Sequence, residues 1–174
     1  MADAATAHDA DAVVRITGDC PLVDPDVVDA VVRAHLEGGH DFTANRLPPP
    51  AHRTYPIGLD VEIARRAAFD VANQEATDRA HREHVMPFLY ENAGRFDVHI
   101  VESDDDAGEV RWTVDTPQDL EAVTRLVQVA AATTGTPWRE LLRVWREHPE
   151  VAEINASVVQ RTAAETDPRT PYRP

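Results

Sequence analysis

With 174 residues, 43% of them hydrophobic, the chain is sized for one domain with a substantial core. Its formal net charge is −14, from 31 acidic residues against 17 basic ones, all of them Arg, and such a surface repels nucleic acid and anionic lipid. There is no apolar run of membrane-spanning length, and the acidic start Met1-Ala2-Asp3 lacks the basic and apolar regions of a signal peptide. These features point to a cytoplasmic protein with neither nucleic acid nor membrane as a partner. The single cysteine, Cys20, excludes an internal disulfide and a cysteine-based zinc site. The acids are spread along the chain rather than blocked. That favours adaptation to a salty cytoplasm, where charge repulsion is screened, over a dedicated partner-binding face.

Residues 1–10 carry a weak helical pattern. Residues 12–17 read as a buried strand that ends at Gly18-Asp19-Cys20-Pro21 and leaves one carboxylate at its tip. Asp24 and Pro25 fit the N-cap and first position of an apolar helix that Gly38-Gly39 closes. A short strand is expected over 41–45. Pro48-Pro49-Pro50 marks the loop that follows. Leu59-Asp60-Val61-Glu62-Ile63 alternates apolar and acidic residues, which predicts a strand with Asp60 and Glu62 on one face. Helices are predicted over 65–76 and over 78–90, the second broken or kinked at Pro87. Strands are predicted over 96–101 and 110–114, the latter ending at Asp115. Thr116-Pro117-Gln118-Asp119 starts a helix well, with a cap, a proline in the first turn and an acid at the positive end. Helices from Thr136-Pro137 and over 149–159 follow. The domain is read as residues 1–161, with a disordered tail over 162–174 that has no apolar face. Strands alternating with helices predict an α/β domain with a mostly parallel sheet and flanking helices.

In such sheets ligands bind beyond the carboxyl ends of the strands. Asp19 and Asp115 both stand at predicted strand ends, and two carboxylates so placed suit Mg²⁺, which takes few protein ligands and keeps substrate and water oxygens for the rest. Each aspartate has a plainer alternative, Asp19 as a turn former and Asp115 as an N-cap. Asp60 and Glu62 suit sugar hydroxyls or simply face solvent. Arg53 suits a carboxylate or phosphate, or is a loop charge. Gly58 permits close approach of the backbone to a ligand. Arg111 is aimed either at substrate or at a neighbouring carboxylate. Cys20 reads as a small buried residue with nothing beside it in sequence to activate it.

Five stretches in order carry a resemblance. They are Arg15-Ile16-Thr17-Gly18-Asp19-Cys20-Pro21-Leu22-Val23-Asp24-Pro25, Arg53-Thr54-Tyr55-Pro56-Ile57-Gly58-Leu59-Asp60-Val61-Glu62, Arg82-Glu83-His84-Val85-Met86-Pro87-Phe88-Leu89-Tyr90-Glu91, Thr113-Val114-Asp115-Thr116-Pro117-Gln118-Asp119-Leu120 and His148-Pro149-Glu150-Val151-Ala152-Glu153-Ile154-Asn155. Together the chain resembles cytidylyltransferase-like proteins of the spore coat polysaccharide F type, relatives of the acylneuraminate and 3-deoxy-manno-octulosonate cytidylyltransferases. The resemblance implies a Rossmann-like nucleotide-diphospho-sugar transferase fold. It implies transfer of CMP from CTP to a sugar or sugar acid with Mg²⁺, for surface polysaccharide synthesis, and a homodimer. By motif match Asp19 and Asp115 become the catalytic, metal-binding pair. Arg15, Gly18, Asn45, Arg53, Gly58, Asp60, Glu62, Arg82, Glu83 and Arg111 become the substrate-binding set, with Arg82 and Glu83 on the sugar side or at a subunit contact. The family starts with a strand and a Gly- and Arg/Lys-rich loop that this sequence does not contain. The resemblance therefore implies a chain lacking the amino-terminal third, and the alternative function is a non-catalytic α/β module that binds a sugar or a partner chain.

Overall fold

The computed structural model describes residues 1–92 and 94–159, apart from the side chain of Glu83. The boundary read at 161 and the tail read over 162–174 lie outside the described residues. Twelve elements follow in order: α1 (Ala2–Ala7), β1 (Ala12–Arg15), α2 (Pro25–Gly38), β2 (Phe42–Ala44), β3 (Glu62–Arg65), α3 (Arg66–Glu75), α4 (Arg79–His84), α5 (Pro87–Glu91), β4 (Val98–Ile100), α6 (Pro117–Val129), α7 (Trp138–Glu147) and α8 (Pro149–Ala152).

The strands form one sheet in the order β1-β3-β2-β4. β2 and β4 pair in parallel, whereas β3 pairs antiparallel with both β1 and β2. This corrects the expectation of a mostly parallel sheet: β1, β2 and β4 share a direction and β3 runs back between β1 and β2. The alternation of strand and helix reports only the crossovers that set strands parallel. α2 carries the chain from β1 to β2 and leaves one place open between them. The strand that fills it arrives through the proline loop, with no helix to turn it round, so it runs the opposite way.

Alternation along the strands divides the core. Phe42, Ala44 and Ala64 face one cluster, with Ala68, Phe69 and Ala72 of α3 and Phe88 and Leu89 of α5. Ile63 faces the other cluster, with Val27 and Val31 of α2, Leu126 of α6, and Leu141 and Trp145 of α7. Thr43, on that second face, meets the buried His35 of α2 at 3.1 Å. At the sheet edge, β1 leaves Val14 and Ile16 exposed.

Several predicted elements differ in extent. The strand expected over 59–63 begins only at Glu62, because Leu59 and Val61 bond to a side chain instead of a ladder. Asn45 donates to the Leu59 carbonyl at 2.6 Å and accepts from the Val61 N–H at 2.9 Å. The helix expected over 78–90, with a break or kink at Pro87, is broken: it divides at Val85, whose φ is 54°, and Pro87 opens a new helix. The helix expected over 149–159 ends at Ala152. The segment 110–114 forms a bridge at Arg111 rather than a strand, yet it is held on two sides. Ile57 donates to the Val110 carbonyl at 2.8 Å, Trp112 donates to the Ile57 carbonyl at 2.7 Å, and Val114 donates to the Asp19 carbonyl at 2.9 Å.

Asp24 fastens two helices. One oxygen accepts from the Asp26 N–H at 2.7 Å and caps α2, and the other accepts from the Trp138 N–H at 2.7 Å at the start of α7. α7 has no side-chain cap from its own N-cap residue, Pro137.

Gly58 is required by packing. Its φ is 106°, and a Cβ there would stand 2.5 Å from the Thr113 nitrogen and 2.7 Å from the Trp112 carbonyl carbon. Gly58→Ala is expected to lose on the order of 1–3 kcal/mol, read as a lower urea midpoint with unchanged slope. A midpoint like that of the unsubstituted protein would show that the 57–58 and 112–113 segments are not packed this closely.

Candidate functional site

The turn after β1 is built from its own residues. The Cys20 N–H bonds the Thr17 carbonyl at 3.2 Å, and the Thr17 hydroxyl lies 3.2 Å from the Cys20 sulfur. Asp19 sits at the tip, beside the end of the 110–114 segment. The Thr113 hydroxyl donates to the Asp19 carbonyl at 3.2 Å and to its Oδ2 at 3.3 Å. Burial pushes the Asp19 carboxyl up, but hydrogen bonds from Thr17, the Asp19 N–H, Thr113 and Cys20 outweigh it and hold the group below the usual carboxylate range. Asp19 is therefore ionised at neutral pH.

Asp115 follows the adjacent 110–114 segment, with its side chain 47% exposed. The Val114–Asp19 backbone bond brings the Asp19 turn and the chain just before Asp115 together. Behind Asp115 lies a buried group. Arg111 donates through Nε to Asp119 Oδ1 at 2.8 Å and through Nη2 to Asp119 Oδ2 at 2.9 Å, and the same Nη2 reaches Asp115 Oδ2 at 2.8 Å. Asn155 donates to Asp119 Oδ1 at 3.0 Å and to the Arg111 carbonyl at 3.1 Å. Asp119 also accepts from the backbone N–H groups of Asp115 and Thr116 and forms a capping box with Thr116 at the start of α6. Burial would raise its pKa, but the bonds from Arg111, Asn155 and Thr116 hold it far below the usual carboxylate range. The Arg111 guanidinium thus faces carboxylates.

Beside the aspartates runs a chain of alternating charge. Arg15 pairs with Glu62 at 2.7 Å across the β1–β3 register. Arg46, just past β2, reaches Glu62 at 3.8 Å and Asp60 at 3.2 Å, so one side chain touches both acids. Arg53 pairs with Asp60 and donates to the Tyr55 carbonyl at 2.9 Å. Burial, then the charge of Arg46, lowers the Arg53 guanidinium to about 9, which leaves it charged at neutral pH. Arg15 closes β1 and the Asp19 turn follows it directly, so this chain of charges starts beside that turn.

Other positions from the sequence stand elsewhere or do different work. Asn45 is buried and its amide is engaged by backbone. Gly58 makes room for the 112–113 backbone rather than for open space. Gly18 has nothing within 4 Å of where a Cβ would stand. Arg82, on α4, donates to the Asn73 carbonyl at 2.7 Å. Glu83 lies on the same helix. Arg46, Asp119 and Asn155 were not among the positions read from sequence. Arg46 borders the proline loop without a motif, Asp119 reads as a plain capping residue, and Asn155 closes the fifth resemblance stretch with no role of its own.

The donor set fits Mg²⁺. Asp19 and Asp115 supply hard carboxylate oxygens from two chain ends. Among the described residues no group of three or more His, Cys, Asp or Glu stands ready to enclose a metal. A cation here would complete its shell with substrate and water oxygens, the usual habit of Mg²⁺.

Asp119 should also leave a pH signature. A carboxyl whose folded pKa is depressed contributes its full stability above the free value near 4 and loses it as pH falls below that. Asp119→Asn leaves Arg111 buried without its main partner and is expected to cost on the order of 3–5 kcal/mol at pH 7. In urea titrations the gap to the unsubstituted protein should begin to narrow as pH falls past the free carboxyl value near 4 and go on narrowing below pH 3, towards the depressed folded value. A gap that does not change with pH would remove the ionised state assigned to Asp119.

The cytidylyltransferase family profile matches residues 1–146. The chain is 27% identical over 143 residues to the spore coat polysaccharide biosynthesis protein SpsF of Bacillus subtilis, covering 80% of this chain and 57% of that protein. It is 27% identical over 162 residues to an uncharacterized protein of Methanocaldococcus jannaschii, covering 92% of this chain and 63% of that one. The fold matches a cytidylyltransferase structure from Leptospira borgpetersenii with a TM-score of 0.79 and 27% identity, over 87% of this chain and 62% of the other. The chain thus spans about 57–63% of the length of these relatives. With a profile match over most of its length and a shared fold, the chain belongs to the cytidylyltransferase family.

Proposed function

We propose that this chain carries the metal and sugar side of a sugar cytidylyltransferase, which moves CMP from CTP onto a sugar or sugar acid and releases pyrophosphate. The observation that carries the reading is the placing of Asp19 and Asp115 on neighbouring chain ends through the Val114–Asp19 bond. Mg²⁺ bound there would neutralise the triphosphate and hold its α-phosphorus in line for attack by a substrate oxygen. The protein's own part is positional. The Asp19 turn and the Arg111–Asp119 group fix the two carboxylates. The Arg15–Glu62–Arg46–Asp60–Arg53 chain offers guanidinium forks and carboxylate acceptors to a sugar acid and its hydroxyls. A role in surface polysaccharide synthesis accords with the SpsF relative.

Calorimetry with CTP and MgCl₂ tests this. CTP is expected to bind only with the metal, and Asp19→Asn or Asp115→Asn should weaken it by about tenfold or more while the fold persists. Folded protein without metal-dependent CTP binding would leave the non-catalytic module as the reading.

We also propose a homodimer, supported by Val14 and Ile16 on the open β1 edge. Sedimentation equilibrium should give twice the chain mass; a monomer at all concentrations would remove this part.

A further inference from the structure

We infer that Arg111, held in place by Asp119, restricts Asp115 to one cation-binding oxygen and so biases the site toward Mg²⁺ over Ca²⁺. The inference rests on the proposed metal function of Asp19 and Asp115. Arg111 Nη2 occupies Asp115 Oδ2 at 2.8 Å, and among the described residues Oδ1 accepts no hydrogen bond. A carboxylate with one oxygen taken by a guanidinium offers the other alone. Mg²⁺ is small and bound through one or two carboxylates with retained waters, whereas Ca²⁺ takes six to eight oxygens and commonly uses both oxygens of a carboxylate. Blocking the second oxygen therefore costs Ca²⁺ more than Mg²⁺.

Asp119 makes this arrangement affordable. A lone guanidinium beside a divalent site would repel the cation. Asp119, with no exposed surface, grips Arg111 through two hydrogen bonds and cancels its charge. Among these four groups the remaining charges are those of Asp19 and Asp115, which match a divalent ion. Asn155 closes the arrangement by bonding both Asp119 and the Arg111 carbonyl. Arg111 and Asp119 are thus positioning residues that act through Asp115.

The test compares CTP affinity by calorimetry in excess MgCl₂ and in excess CaCl₂. The paired variant Arg111→Met/Asp119→Asn removes the ion pair as a unit, which leaves no buried charge behind. The unsubstituted chain should favour Mg²⁺, and the paired variant should shift the Mg²⁺-to-Ca²⁺ affinity ratio toward Ca²⁺ by about tenfold, the scale on which outer partners of metal ligands act. General loosening of the fold would weaken both affinities together and leave the ratio in place. Arg111→Lys is the second variant. It keeps a positive partner for Asp119 but loses the fork, and it should move the ratio the same way by less. Metal-dependent CTP binding with an unchanged ratio in a cooperatively melting variant overturns this inference alone. Absence of metal-dependent binding in the unsubstituted chain overturns both it and the function on which it rests.

Discussion

A guanidinium taken out of water is stable only where its charge and its donors are both met, and around Arg111 they are met by carboxylates. Asp119 accepts from two of its nitrogens, and Asp115 accepts from one of these. The consequence spreads because Asp119 is also the capping residue of α6 and a partner of Asn155. One buried carboxylate therefore joins the end of the 110–114 segment, the first turn of α6 and the chain beyond α8. These three pieces converge behind Asp115. Loosening the pair would free Asp115 together with the helix start beneath it.

The second electrostatic feature differs in kind. The chain from Arg15 to Arg53 alternates sign along five side chains and is partly open to solvent. Its three arginines outnumber its two acids, so it carries an excess positive charge in a protein whose net charge is −14. That excess stands next to the Asp19 turn. A strongly acidic surface with a local basic excess draws an anionic substrate to one place and repels it elsewhere.

Sequence legibility followed the range of the interactions. Asp24 and Pro25 at the start of α2, Gly39 at its end and the Thr116 cap of α6 are set by neighbours a few residues away, and they read directly. The positions of Asp19 and Asp115 follow apolar runs that stop at a turn in one case and at a helix start in the other, and such stops are local signals. The direction of β3 was not legible, since it depends on which gap in the sheet a distant strand fills. Arg46 and Asn155 were missed for the same reason: Arg46 works on Asp60 and Glu62, and Asn155 on Arg111 and Asp119, across separations that no local pattern records. Gly58 reads alike as a ligand approach or a backbone crossing, and only the position of Thr113 decides between them.

The double cap made by Asp24 bears on the order in which the molecule assembles. One oxygen satisfies α2 with residues that are adjacent in the chain, whereas the other waits for the N–H of Trp138, 114 positions later. The Asp19 turn likewise waits for Thr113 and Val114. On the ribosome the first half of the chain emerges with its helix begun and its turn unanchored, and closing such long loops comes late because their entropy must be met first. The Asp19 turn accordingly gains its anchors late, when the 113–114 segment folds back onto it.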